Sequence, residues 1–286
     1  MKQFTVISGK GGTGKTSVVA AFASLAQNAV FADCDVDAAD LHLILKPEIK
    51  KTVKFHGLKI PEIDKKKCIQ CGKCHKYCKF GAIDEDINLI KDSCEGCGVC
   101  KHVCPVGAIK MIDRDSGFAY ISETRFGSMS HAVLNTAEEA SGKLVTLVRE
   151  NAKTLAADKD LVVIDGPPGI GCPVIASITG VDLVLIVTEP TLSAIHDLKR
   201  ILGVANHFGI PAAVCINKYD INLENTKEIE EYCRRNNLEI VGKLPYDTIV
   251  TEAMIQEKTV IEYSDGDFSD KIKKMWNRIE RILEGD

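Results

Sequence analysis

Eight residues near the start of the chain, Gly9-Lys10-Gly11-Gly12-Thr13-Gly14-Lys15-Thr16, fit the spacing Gly-x4-Gly-Lys-Thr. Glycines so placed let backbone N–H groups converge on a phosphate chain at a helix N-terminus. Lys15 is positioned for the β- and γ-phosphates, Thr16 supplies a hydroxyl for Mg²⁺, and Ser17 follows as a further nucleotide contact. Holding that ion calls for a second acidic group at the end of a neighbouring strand. Asp165 meets the need, because it closes the apolar run Leu161-Val162-Val163-Ile164 and opens the turn Gly166-Pro167-Pro168-Gly169, which could sense a γ-phosphate. Asp33, Asp35 and Asp37 alternate after the apolar run Ala29-Val30-Phe31-Ala32. In an extended chain they share one face, where three like charges require a cation or hydrogen bonds. The competing explanation of Asp33 and Asp37 is a solvated loop.

A second chemistry is written in the cysteines. The pattern Cys-x2-Cys-x2-Cys-x3-Cys occurs at Cys68, Cys71, Cys74 and Cys78 and again, 26 residues later, at Cys94, Cys97, Cys100 and Cys104. Each run ends in Gly-Ala-Ile, so the block is an internal repeat of two half-units, each too small to make a core alone. This is the bacterial ferredoxin spacing, in which three cysteines of one run and the last of the other hold one cluster. It assigns Cys68, Cys71, Cys74 and Cys104 to one [4Fe–4S] cluster, and Cys94, Cys97, Cys100 and Cys78 to a second. Zinc sites favour two separated pairs of cysteines instead. Pro105 follows the second run as the pattern expects, whereas Lys79 takes that place after the first. Of the other cysteines, Cys215 falls in a strand and Cys233 on a helix, where both read as small core residues.

The elements that must carry these groups alternate. A strand at Phe4–Ile7 precedes the glycine loop and a helix from Ser17 to Ala26 follows it. Further strands read at Ala29–Ala32, Phe118–Ile121, Leu161–Ile164, Leu183–Val187, Ala212–Ile216 and Ile240–Leu244, with helices at Ala137–Ala157, Leu192–Asn206, Leu223–Arg235 and Asp267–Leu283. The expected fold class is α/β, a mostly parallel sheet covered by helices on both faces and interrupted by a small inserted α+β domain. A polar, lysine-rich stretch from Lys46 to Lys67 leads into that insertion. The boundaries read as 1–58 and 117–286 for the nucleotide domain and 59–116 for the insert.

Composition sets limits on partners and place. The 286 residues are 45% hydrophobic and 27% charged with a net charge of −4, which gives no support for a nucleic-acid partner. The chain runs directly from Met1-Lys2-Gln3 into its first strand, and its apolar runs are too short to span a bilayer. The expected location is cytoplasmic, without stable membrane insertion. Twelve cysteines then point to metal ligation rather than disulfides.

Lys10, in Lys-Gly-Gly-Thr-Gly-Lys-Thr, resembles the deviant phosphate loop of the MinD, ParA and nitrogenase-iron-protein family. The likeness extends to Asp35 at the family's catalytic switch position, to Asp165-Gly166-Pro167-Pro168-Gly169 as its second switch, and to Leu244-Pro245-Tyr246-Asp247 near the base. It implies an ATPase, a homodimer with ATP at the interface, and a Lys10 that reaches the partner's nucleotide. Asn217-Lys218-Tyr219-Asp220 spells the Asn-Lys-x-Asp by which many GTPases read guanine, yet related ATPases keep an asparagine there for adenine. The resemblance therefore favours ATP, with Asn217, Lys218 and Pro245 at the base, and GTP stays open. Cys172 has the spacing of a nitrogenase-iron-protein cysteine that binds a cluster between subunits. The partner cysteine is replaced, since Ala140-Ser141-Gly142-Lys143 resembles the family's Cys-Ala-Gly-Arg, so a packed or interface thiol competes with a bridging ligand. MinD proteins bind membranes through a C-terminal amphipathic helix, whereas the stripe Phe268, Ile272, Met275, Trp276, Ile279, Ile282 and Leu283 reads as a helix docked on its own sheet.

Two functions of different class follow. One is an ATP-hydrolysing protein that couples nucleotide state to electron transfer through two [4Fe–4S] clusters to a partner protein not identified by sequence. In it, Lys10, Lys15, Asp35 and Asp165 act on the γ-phosphate with Mg²⁺, and Asp35 orients the attacking water. The other is an assembly carrier for Fe–S clusters or metallocofactors, or a MinD-like positioning factor whose clusters are structural or sensing.

Overall fold

Continuous apolar runs bounded by turn residues become central strands here because helices cover both of their faces. The computed structural model describes residues 1–135, 138 and 141–285. The strands are β1 (Lys2–Ser8), β2 (Ala29–Asp33), β3 (Glu48–Ile63), β4 (Ile109–Thr124), β5 (Gly127–Leu134), β6 (Leu161–Pro168), β7 (Leu183–Thr188), β8 (Ala212–Asn217) and β9 (Glu239–Leu244). Their order is β3-β4-β5-β2-β6-β1-β7-β8-β9. The pairs β1 with β6 and β7, β2 with β5 and β6, and β8 with β7 and β9 are all parallel. Only residues Arg125 and Phe126 separate β4 from β5, a link short enough for an antiparallel hairpin alone.

The chain divides into two units, one of Met1–Thr52, Ala119–Val133 and Ser141–Asp286, the other of Val53–Phe118 and Leu134–Ala140. In the first, α1 (Lys15–Leu25), α2 (Leu41–Leu45), α5 (Ser141–Leu155), α6 (Cys172–Ile178), α7 (Leu192–His207), α8 (Leu223–Arg235), α9 (Ile249–Ile255), α10 (Val260–Tyr263) and α11 (Asp267–Glu284) flank the parallel strands. The core gathers Phe4, Phe22, Phe31 and Trp276, with the Trp276 ring 5.1 Å from that of Phe22 and 6.1 Å from that of Phe4. Trp276 comes from α11, which packs on β9 and α1 and buries Phe268, Ile272, Met275, Ile279 and Leu283. The C-terminal stripe thus serves the core of its own unit.

The second unit carries α3 (Lys73–Tyr77) and α4 (Val99–Val103), which pack together around a small core of Cys74, Ile83, Ile87 and Ile109. Its two halves repeat in backbone as well as sequence. The helices lie 26 residues apart, as do Gln70 and Gly96, which both take positive φ, +55° and +64°.

Several expectations need correction. The lysine-rich stretch from Lys46 to Lys67, to which the sequence reading assigns no element, is mostly the 16-residue strand β3. Its first half is exposed, so the lysines hide the strand, and only Phe55, Gly57, Ile60 and Pro61 are buried. The strand expected at Phe118–Ile121 is the end of the much longer β4, and β5 was not foreseen because Ser128, Ser130 and His131 interrupt its apolar pattern. β6 continues through Asp165 to Pro168. The helix expected from Ala137 begins, in the described residues, at Ser141, and Ala137, Glu139 and Ala140 lie outside them.

Candidate nucleotide site and cysteine sites

β1 lies between β6 and β7, so the loop leaving its C-terminal end meets the ends of both neighbours, the place where open α/β sheets bind ligands. Gly14 caps α1 at φ +89°, and a side chain there would run into the Asn217 amide. Glycine is therefore required twice over, for the backbone angle and for the space. Lys15 opens α1 and is buried, its Nζ 3.0 Å from Asp35 Oδ2 and 3.3 Å from Asp165 Oδ1. Burial works against its charge, but the Asp165 and Asp35 carboxylates outweigh burial and hold the ammonium above the ordinary lysine pKa. Burial in turn raises the Asp165 carboxyl above the usual range, against the pull of Lys15 and the Thr16 hydroxyl.

Two buried oxygens at this site, Asp165 Oδ2 and Thr13 Oγ1, have no hydrogen-bond partner among the described residues. A lone buried carboxylate oxygen beside Thr16 and Asp35 is a donor set of the kind a hard cation with a water shell takes. The residues present thus fit Mg²⁺.

The three alternating aspartates do not share a face. The strand ends at Asp33 and a turn follows, which leaves Asp37 exposed while Asp33 is fully buried. Asp33 accepts the backbone N–H groups of Asp35 (3.1 Å) and Leu41 (3.3 Å), so it shapes the turn that presents Asp35. Burial, together with the charge of Asp165, pushes the Asp33 carboxyl far above the usual carboxylate range.

Lys10 Nζ makes its contacts within its own chain, 2.6 Å from Glu189 Oε1, 3.3 Å from Thr191 Oγ1 and 3.4 Å from Ser193 Oγ. Glu189 also meets Lys218 Nζ at 3.4 Å. Burial would raise the Glu189 carboxyl, but Lys10 and Lys218 reverse the effect and hold it below the usual range. Glu189 is a site residue missed from sequence. Its signal was a polar Thr-Glu pair at the end of an apolar strand, uninformative until β7 is seen beside β1.

Asn217 donates to the Thr13 carbonyl at 2.8 Å and Lys218 to the Gly12 carbonyl at 3.1 Å. With Gly12, Gly14, Ser17, Pro245 and Tyr246 they line a cleft of about 760 Å³, its open mouth included. Val250 and Met254 of α9, with Phe268 and Ile272 of α11, supply an apolar wall that the sequence reading had not assigned to the site. Asp220 turns elsewhere and accepts the Tyr246 N–H at 2.7 Å.

The cysteines of the second unit converge on two cavities. Cys68, Cys71, Cys74 and Cys104 line one of about 330 Å³, and Cys78, Cys94, Cys97 and Cys100 line one of about 340 Å³, open mouths included. The other walls are mostly apolar, with Ile63, Ile87 and Ile109 in the first and Pro61, Ile83 and Met111 in the second. The N–H of Ala82 points to Cys78 Sγ and that of Ala108 to Cys104 Sγ, each at 3.3 Å. Among the described residues no three His, Cys, Asp or Glu side chains stand close enough together to hold a metal ion. Cys172 is exposed at the start of α6, where a Cβ on Gly142 would lie 3.4 Å from its own Cβ. Cys34, Cys215 and Cys233 are buried.

A parallel sheet with a glycine-rich phosphate loop at the C-terminal end of its central strand defines a P-loop nucleotide-binding protein. A family model described as the CobQ/CobB/MinD/ParA nucleotide binding domain matches residues 4–260, and the chain belongs to that family. An uncharacterized protein of Methanocaldococcus jannaschii is 36% identical over 285 residues, 98% of this chain and 97% of that one. The septum site-determining protein MinD of Pyrococcus horikoshii, solved with Mg-ADP, superposes with a TM-score of 0.62 at 17% identity over 98% of this chain and 96% of its own. The cell division ATPase MinD of Pyrococcus furiosus gives 0.61 at 18% identity over 98% and 99%. At these identities the two structures share the fold. Among the described residues no helix is long and apolar enough to cross a membrane.

Proposed function

We propose that the protein is a dimerising ATPase that couples its nucleotide state to electron transfer through two [4Fe–4S] clusters to a partner protein. The observation that carries the reading is the sorting of eight cysteines into two quartets, each of three from one run and the last from the other. The apolar walls and the paired amide-to-sulfur bonds suit thiolates held away from water. Bound there, each cluster would supply a one-electron centre.

At the nucleotide, Lys15 neutralises charge on the β- and γ-phosphates, and in the free protein it answers the charge of Asp35 and Asp165. Thr16, Asp35 and Asp165 would hold Mg²⁺, which screens phosphate charge when bound. Asp35, once Lys15 turns to the phosphates, is free to orient a water on the γ-phosphoryl group. Lys10 would leave Glu189 and reach the nucleotide of a second copy, so that hydrolysis waits on dimerisation. The base enters the cleft of Asn217, Lys218 and Pro245. Adenine is favoured over guanine by the family likeness, while Asp220, the residue that would read a guanine, accepts the Tyr246 N–H through one carboxylate oxygen. Released γ-phosphate would relax the loop after Asp165 and change how the unit carrying the cysteines, read as residues 59–116, meets its partner.

The likeness to septum site-determining proteins supports a second reading, a positioning or metallocofactor-assembly factor. The two are separated by ATPase rate and dimer mass measured without oxygen for wild type and Lys10→Ala, first with clusters oxidised and then reduced by dithionite. Turnover that depends on cluster state and is lost in Lys10→Ala is expected. Turnover indifferent to cluster state would sink the coupling and leave the second reading.

A further inference from the structure

The two halves of the cysteine unit repeat in backbone but differ in charge. Lys66, Lys73, Lys76 and Lys79 of the first half correspond, 26 residues on, to Asp92, Val99, His102 and Pro105. All four lysines are exposed, and none has an ion-pair partner among the described residues. Several other lysines of the unit are engaged, and Lys91 and Lys101 are exposed without an ion pair among the described residues. Lys65 donates to the Asp86 and Ile87 carbonyls and to Asn88, Lys54 pairs with Asp115, and Lys110 with Glu62. In the second half the charges of Lys91 and Lys101 are offset in number by the exposed Asp92 and Glu95, without a contact between them. The surplus of positive charge is therefore confined to the run that holds Cys68, Cys71 and Cys74.

Apolar surface lies within the same run. Ile69 is 61% exposed and Tyr77 51% exposed, and Cys71 reaches the surface. Apolar groups amid unpaired charges of one sign suit a protein partner of opposite charge, which the charges steer and the apolar groups hold.

We propose that the exposed surface of this run, with Lys66, Lys73, Lys76 and Lys79 and with Ile69, Tyr77 and Cys71, is the docking surface for an acidic one-electron carrier protein. The proposal rests on the reading of the cysteine quartets as [4Fe–4S] sites. Cys68, Cys71, Cys74 and Cys104 would hold the electron-accepting group, and on docking one electron would pass to it from the reduced carrier, which is oxidised, with no bond made or broken.

The test uses the full chain with reconstituted clusters and a small acidic ferredoxin as probe. Calorimetry at two salt concentrations measures binding, and stopped-flow absorbance measures reduction of the clusters by reduced ferredoxin or by dithionite. The triple variant Lys66→Glu, Lys76→Glu, Lys79→Glu is compared with Lys91→Glu, Lys101→Glu in the other half and with an arginine triple at the first three positions. Ferredoxin affinity and reduction rate are expected to fall about tenfold or more in the first variant and to lose their salt dependence. The second variant and the arginine triple should stay near wild type, and dithionite should reduce all four proteins alike. Equal losses in both halves, no loss in the first variant, or binding of an anionic vesicle or oligonucleotide in place of the ferredoxin would overturn the docking surface. Clusters that fail to assemble would instead sink the cysteine reading, and the calorimetric arm would still decide the docking.

Discussion

Glu189 restrains the lysine on which dimer-dependent hydrolysis is proposed to turn. The pair is largely shielded on the glutamate side, with the Glu189 side chain 11% exposed, and a partly exposed pair of this kind contributes up to about 1 kcal/mol. Glu189→Gln should therefore free Lys10 and lower the protein concentration for half-maximal ATP turnover by roughly fivefold. A titration of rate against protein concentration checks this, and an unchanged midpoint would remove Glu189 from the mechanism. His131 makes a prediction about pH. It is buried against the rings of Tyr120 and His42, and bonds Ser122 Oγ at 2.9 Å. Burial, aided by His42, lowers its pKa from 6.5 to about 4. The unfolded chain then binds a proton that the fold refuses, so this contribution is complete above the unfolded value and is lost as pH falls towards 4. Between pH 7 and pH 5 the loss is about 2 kcal/mol. Urea unfolding at the two pH values should show that difference in wild type and a smaller one in His131→Gln.

Element by element, the repeat in the second unit is most constrained where its halves differ. Gln70 and Gly96 share a left-handed backbone, but a Cβ at Gly96 would lie 2.7 Å from the Lys59 carbonyl oxygen. A side chain is tolerated in the first half and excluded from the second. Gly96→Ala should spoil the turn between Cys94 and Cys97 while sparing the other quartet. Iron per reconstituted chain should fall from about eight to about four, whereas Gln70→Ala should keep the full content. Iron analysis with protein quantitation decides it, and a Gly96→Ala protein with full iron would refute the strain argument.

For the whole molecule, the two units differ in what holds them. The first has the large core of Phe4, Phe22, Phe31 and Trp276, whereas the core cluster of the second gathers four buried side chains among the described residues, one of them a cysteine. A core that small needs a staple, and metal sites supply folding energy directly. Removing iron with a chelator should melt the second unit at a lower temperature and leave the first as a separate transition. Mg-ATP should raise the transition of the first alone, by mass action. One calorimetric scan of apo and loaded protein, with and without Mg-ATP, reads both effects. A single transition unchanged by chelation would show that the second unit stands without metal.

The sequence alone determined what depends on spacing along a chain. The phosphate loop is legible because a strand, a tight turn and a helix are consecutive, and the cysteine repeat because each half is one short local turn and helix. The alternation of apolar runs likewise announced a parallel sheet. Tertiary structure decided what depends on which strands become neighbours. Placing β7 beside β1 brings Glu189 to Lys10, α9 and α11 close the wall of the base cleft, and Asp33 turns inward to shape the backbone before Asp35. None of these has a local signature, since a carboxylate or an apolar side chain looks the same in sequence wherever it packs. β3 escaped notice for a related reason, as its lysines face water on a strand whose buried positions are few.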